Sequence, residues 1–119
     1  MMKSSKDIWV FGDYRNYFQN RVTLQILARA VDLATTTGGK VCAIVFGHKV
    51  NEYMAEYIAH GAQKVYVMDD PRLNLCSPET YSRLLTELAG EYWPETLLVG
   101  ATRFGQEMAS ELQNSLKQA

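Results

Sequence analysis

The residues best placed to meet a ligand lie in Thr96 to Leu112, TLLVGATRFGQEMASEL, where a short apolar run enters a turn of small residues and leaves it in a helix-period pattern. Gly100 and Gly105 have the G-x-x-x-x-G spacing of a phosphate loop. Such a loop continues with Lys and Ser or Thr, whereas here Gln106 and Glu107 follow, so no lysine reaches a phosphate and a carboxylate would repel it. Gly100, Thr102 and Gly105 are the positions where a cofactor would touch this turn, but backbone geometry and close packing explain the two glycines better than a bound anion does. No G-x-G-x-x-G occurs, so a dinucleotide fingerprint is absent as well.

Other chemistry-bearing side chains are scattered. His60 precedes the helix-stopping Gly61, a structural place for a cation. His48 follows the second strand with no serine, cysteine or carboxylate set beside it by a nucleophile motif. Asp13, Asp69 and Asp70 leave strands at the sheet edge and read as solvated loop carboxylates. Cys42 and Cys76 form no C-x-x-C or metal-ligand pattern, and Cys42 reads as a small buried hydrophobe in a reducing compartment. No catalytic residue and no metal site is expected, and the chain does not read as an enzyme.

The elements that must position these residues follow one pattern. Ile8 to Phe11 is a first strand ended by Gly12 and Asp13. The loop Asp13 to Asn20, DYRNYFQN, interleaves Tyr14, Tyr17 and Phe18 with Arg15 and Asn16, a mixed aromatic surface that suits a protein interface or, equally, a loop folding its own aromatics onto the domain. From Arg21 the pattern is helical, with Val22, Ile26, Leu27, Ala30, Val31 and Ala34 in one stripe and Gly38-Gly39 as its stop. Val41 to Phe46 is apolar throughout, as a strand covered on both faces should be. Asn51 caps a helix with Met54, Ala55, Ile58 and Ala59 on its inner face, Gly61 closes it, and Val65 to Met68 is the third strand. After the Asp69 to Cys76 loop, Ser77, Pro78 and Glu79 start a helix whose stripe is Tyr81, Leu84, Leu85, Leu88 and Ala89, with Gly90 as its stop. Leu97 to Val99 is a fourth strand buried on both faces, and Met108, Ala109, Leu112 and Leu116 line the last helix.

Four strand-then-helix repeats dictate a parallel sheet with helices on both faces, a three-layer Rossmann-like α/β sandwich. By length, residues 1–119 make one domain. The net charge of −1, from 12 basic and 13 acidic residues without a run of either sign, attracts neither nucleic acid nor an anionic membrane. With no stretch of membrane-spanning length and no apolar segment long enough for a signal peptide, the chain reads as cytoplasmic. Its last residues lie inside a fourth helix, which suggests a longer native chain or a sheet edge completed by another segment.

Four stretches together resemble the electron transfer flavoprotein alpha subunits. VTLQILARAVDLA is similar to that family's first helix, and AHGAQKVYVMDDPRLNL to its gly-ala-x-lys-val-x-val stretch and asp-pro loop. Ser77 to Leu84 is similar to the helix that follows, and VGATRFGQEMASEL to the family's gly-ala-thr-x-x-gly turn and helix. Gln106, Ser110 and Glu111 depart from that last motif, where the family commonly has an arginine and a proline-arginine pair. The resemblance implies an amino-terminal domain of the adenine-nucleotide-alpha-hydrolase-like class. It implies FAD in the full-length protein, held mainly by a carboxyl-terminal domain absent from these residues, with none held by this segment alone. It also implies packing against the electron transfer flavoprotein beta subunit, and electrons received from acyl-CoA or other flavin dehydrogenases through that complex; a homodimer of the segment is a further expectation. The alternative is a freestanding AMP- or ATP-binding module of the universal-stress or nucleotide-hydrolase kind.

Overall fold

The computed structural model of the chain describes residues 5–74 and 76–118. Ile8, Trp9, Val10 and Phe11 form β1 (Ile8–Phe11), a four-residue strand buried at every position. It pairs in parallel with β2 (Val41–Gly47) on one side and with β4 (Thr96–Leu98) on the other. β3 (Lys64–Asp69) lies outside β2, giving the order β3-β2-β1-β4.

Alternation along the strands divides the apolar side chains between two cores. Ile8, Val10, Val41, Ala43 and Val45 face α1 (Tyr17–Thr37) and α2 (Asn51–Ala59), where Leu27, Ala30, Ala34 and Tyr57 meet them. Trp9, Phe11, Cys42, Ile44 and Phe46 face α3 (Pro78–Tyr92) and α4 (Arg103–Gln118), which contribute Tyr81, Leu85, Met108 and Leu112. Helices change face when the strand order reverses, as right-handed crossovers require. The two helices on the second face are also joined by a buried hydrogen bond, Ser82 Oγ donating to the Met108 carbonyl at 3.2 Å.

Helix boundaries follow capping chemistry more closely than glycine punctuation. The Asn16 side chain accepts from the Gln19 amide at 2.9 Å, so α1 starts at Tyr17 rather than Arg21 and half of the expected aromatic loop is helix. At its other end Gly38 takes φ 80°, and its amide donates to the Ala34 carbonyl at 2.8 Å, which is the left-handed stop that glycine permits. Ser77 caps α3 as expected, accepting from the Thr80 amide at 3.3 Å. That helix runs through Gly90 to Tyr92, and Trp93, at φ 53°, ends it.

Two burial expectations are corrected. The residue capping α2 is Val50, with no side-chain cap bond, and Asn51 is already helical. The inner face of that helix is Tyr57 with Val50 and Tyr53 beside it, while Ile58 is 55% exposed and Ala55 and Ala59 are exposed too. Tyr57, its hydroxyl donating to Asn20 Oδ1, fills the core here, so Ala55, Ile58 and Ala59 are turned outward. β4 is half-buried rather than covered on both faces, and β3 exposes Val67 and Met68, because each lies at a sheet edge. Leu116 lies outside the described side chains.

A close backbone approach joins the turn after the last strand to the last helix. A Cβ on Gly105 would sit 1.9 Å from the Gly100 carbonyl oxygen, a backbone atom that cannot swing away. Gly105→Ala is therefore expected to destabilise the chain by about 1–3 kcal/mol. Gly90, in α3 with nothing within 4 Å of its added Cβ, should gain about 0.5–1 kcal/mol on replacement by Ala. Urea titrations of the two variants check both signs.

Candidate functional site

In an open parallel sheet, ligands bind at the carboxyl ends of the strands where the order reverses. That place is between β1 and β4, under the loops that leave them. Directly after β1, the Asp13 amide donates to Thr23 Oγ1 at 3.0 Å, and the Thr23 hydroxyl lies 3.3 Å from the Asp13 carbonyl. The loop is thus clasped to α1. The Asp13 side chain turns back on its own loop: Oδ1 accepts from the Arg15 amide at 3.3 Å and from Arg15 Nε at 2.9 Å, and Oδ2 accepts from Nη2 at 2.8 Å. An aspartate bonding the amide two residues on is the turn this residue type favours, and the guanidinium fork adds the bidentate pair. Asp13 is only 8% exposed, not a solvated loop carboxylate as its position suggested.

Arg15 then reaches across the reversal. Its guanidinium carbon lies 3.5 Å from the ring centroid of Phe104 in the first turn of α4, a cation–π contact between the two loops that would flank a ligand. Tyr14 points the other way, donating to the Phe46 carbonyl at 2.8 Å and stacking on Tyr53 with centroids 4.5 Å apart. Burial, reinforced by Tyr81, Tyr53, Asp69 and Cys76 nearby, pushes the Tyr14 phenol up to about 12. Burial also raises Tyr57 and Tyr81. On the β2 side of this loop, between Arg15, Phe46 and Tyr81, only about 10 Å³ of space is left.

The structure brings Gly100, Thr102 and Gly105 together, and it uses each of them internally. The Gly100 carbonyl packs on Gly105, the Thr102 hydroxyl accepts from the Gly105 amide at 3.0 Å, and the Thr102 carbonyl accepts from the Gln106 amide at 2.8 Å. Thr102 acts as the cap of α4 and holds the Gly105 amide. Glu107 pairs with Arg103 at 3.5 Å on the surface. Two of the amides in this turn, those of Gly105 and Gln106, are thus committed within the chain.

The remaining groups are dispersed. His48 Nδ1 lies 3.1 Å from Asp69 Oδ1, a carboxylate that no local motif disclosed because β2 and β3 bring Gly47 and Asp69 into register across the sheet. Lys49, at φ 56°, donates its amide to the same oxygen at 3.2 Å. His60 Nδ1 lies 2.9 Å from the Glu56 carbonyl in its own helix. Hydrogen bonds from the Arg72 side chain and amide hold the Asp70 carboxyl down at about 2. Cys42 is buried and free, and burial, with Asp7 beside it, pushes its thiol up to about 11. Among the described residues no group of three or more metal-ligating side chains occurs, and no helix is long and apolar enough to cross a membrane.

Of the aromatics expected at an interface, Tyr14 is half-buried and committed to Phe46 and Tyr53, whereas Tyr17 and Phe18 are 76% and 68% exposed on the first turn of α1. Tyr17 borders a cavity of about 430 Å³ whose far wall is Glu52, Tyr53 and Glu56 of α2. Sequence reasoning found one wall and missed the other, since the second depends on how α2 is rotated.

A doubly wound sheet whose reversal is bridged by the chain's own side chains defines a nucleotide-binding-type α/β sandwich. The fold class is matched by a crystal structure of a universal stress protein in complex with cAMP, with TM-score 0.54 over 93% of this chain and 90% of that one, at 17% identity. Residues 8–118 match the model of the electron transfer flavoprotein domain, and the chain belongs to that family. It is 39% identical over 115 residues to the electron transfer flavoprotein subunit alpha of Thermoanaerobacterium thermosaccharolyticum, covering 97% of this chain and 35% of the relative. To the alpha subunit of Megasphaera elsdenii it is 38% identical over 112 residues, covering 94% and 33%. To the acryloyl-CoA reductase electron transfer subunit beta of Anaerotignum propionicum it is 33% identical over 107 residues, covering 90% and 29%. The chain thus spans about a third of the length of the curated relatives it matches.

Arg15→Ala would leave the Asp13 carboxylate buried without its fork and is expected to cost about 2 kcal/mol, read as a lower urea midpoint. A second outcome concerns alkali. Cys42 and Tyr14 bind their protons more tightly when folded than the ordinary 9.0 and 10.0 of these groups, so their contribution is full below those values. It is lost as pH rises through about 11 and about 12, with a slope of about 1.4 kcal/mol per pH unit for each group. Denaturant melts at a series of pH values from neutral to strongly alkaline measure it.

Proposed function

We propose that this chain is a framing and partner-binding domain of an electron transfer flavoprotein alpha-type subunit, working in the cytoplasm. In this reading electrons from flavin dehydrogenases pass through FAD held mainly by polypeptide outside these residues. When bound there, the flavin supplies the redox chemistry; the residues present here shape a surface and hold it rigid. The observation that supports the reading is the bridged reversal: Asp13, Arg15 and Phe104 meet across the ends of β1 and β4, and Thr102 holds the Gly105 amide. A fold whose reversal is bridged in this way has its exposed loops left for protein contacts. Tyr17 and Phe18, large aromatics on an otherwise ordinary helix start, supply such a contact toward a beta-type subunit. The relative in Anaerotignum propionicum, named as an electron transfer subunit of acryloyl-CoA reductase, supports a partner enzyme that works on acyl-CoA esters.

The expected outcome is that the 119-residue chain, purified alone, carries no stoichiometric flavin, gives no micromolar calorimetric signal with AMP or ATP, and is retained by an immobilised beta-type subunit from the same genome. Tyr17→Ser combined with Phe18→Ser should weaken that retention about tenfold or more while the circular dichroism spectrum is unchanged. Stoichiometric FAD, micromolar nucleotide binding, or retention indifferent to the double replacement would each overturn the proposal.

A further inference from the structure

The cavity of about 430 Å³ between the starts of α1 and α2 is the largest described opening beside the exposed aromatics, and its walls have a consistent chemistry. One side is aromatic. Tyr14 and Tyr53 are stacked with their planes 24° apart, and exposed Tyr17 stands at the mouth, its hydroxyl accepting from Arg21 Nη1 at 3.1 Å and its ring 5.7 Å from that guanidinium carbon, which leaves the faces of Tyr14 and Tyr53 for the ligand. The other side is anionic: Glu52 and Glu56 are four residues apart on α2 and both line the opening. Like charges at this spacing repel, and among the described residues neither glutamate has a salt-bridge partner. The arginine that also lines the cavity, Arg15, is engaged by both oxygens of Asp13.

One of the carboxylates is held in place from within the fold. The buried Tyr57 hydroxyl donates to Asn20 Oδ1 at 2.6 Å, and Asn20 Nδ2 donates to Glu56 Oε1 at 2.7 Å. This chain of bonds fixes the Glu56 carboxylate at the wall instead of leaving it to sweep through solvent. A fixed acceptor, a second carboxylate one turn away and tyrosine rings make a receptor for a flat cation that can both stack and donate several hydrogen bonds. A guanidinium has that shape and an ammonium does not. Phosphate-bearing partners are repelled by the same two carboxylates, and a metal ion would find only two ligands here.

We infer that this cavity receives an arginine side chain of a partner protein, with Tyr17 and Phe18 covering the apolar residues on either side of that arginine. The inference rests on the partner-binding reading above and adds the chemistry that recognises the partner.

The test uses two acetylated tripeptide amides as probes, Leu-Arg-Leu and Leu-Gln-Leu, titrated into the 119-residue chain and followed by two-dimensional NMR. The arginine peptide should give saturable shifts at Tyr14, Tyr17 and Tyr53. The glutamine peptide should bind at least about tenfold more weakly, and so should the arginine peptide to Glu52→Gln combined with Glu56→Gln. Raising sodium chloride from about 20 mM to about 300 mM should weaken the arginine peptide selectively. Equal binding of the two peptides, indifference to the glutamine replacements, or no saturable shift up to about 10 mM peptide would overturn the inference. If a beta-type subunit is still lost on replacing Tyr17 and Phe18 but the peptides do not differ, only the arginine assignment falls. Arginine-selective binding by a chain that captures no beta-type subunit supports the cavity's chemistry and removes the interface reading instead.

Discussion

The double burial of β1 is the constraint on which the molecule depends. Four residues, Ile8 to Phe11, are buried throughout, the first three paired on both sides, so every neighbouring element must adapt to them. Because β1 is so short, its carboxyl end comes early. The chain must leave at Gly12 and Asp13 directly beneath the reversal of strand order, where other folds of this architecture keep a ligand. Here the departing loop bridges the gap itself. The buried carboxylate of Asp13 needs a partner, Arg15 is the nearest that can fork onto it, and the charge left on the outer face of the guanidinium meets the ring of Phe104. Burial of the carboxylate and bridging of the reversal are thus one event.

The same economy governs the turn after β4. Small residues there allow the turn and the helix to approach within backbone contact, and the threonine between them takes the Gly105 amide. A turn built this way resembles a phosphate loop in spacing while its glycines are explained by that close approach.

Much of the architecture was legible in the sequence because it rests on apolar runs. The all-apolar β2 and the Ser77-Pro78 start of α3 read directly, since each has a single physical meaning. The misreadings share a cause, which is that tyrosine and aspartate look like surface residues until their partners are known. Tyr57 is buried because Asn20, far away in sequence, takes its hydroxyl, and Asp13 is buried because Arg15 folds over it. The pairing of His48 with Asp69 was hidden for a related reason, as it follows from register between two strands and not from any local motif. At the candidate site, the aromatic side of the cavity could be read from DYRNYFQN, while the acidic side required the rotation of α2 that those buried tyrosines set.

The outer strand leaves one liability. Among the described residues β3 pairs with β2 alone, and Val67 and Met68 stand exposed on it between Lys64 at one end and Asp69 at the other. A row of free peptide groups flanked by apolar side chains is a template for further strands, and only those two terminal charges guard it. In concentrated preparations ordered aggregation would begin along that edge, and a single lysine in place of Val67 would be the economical way to keep the protein in solution.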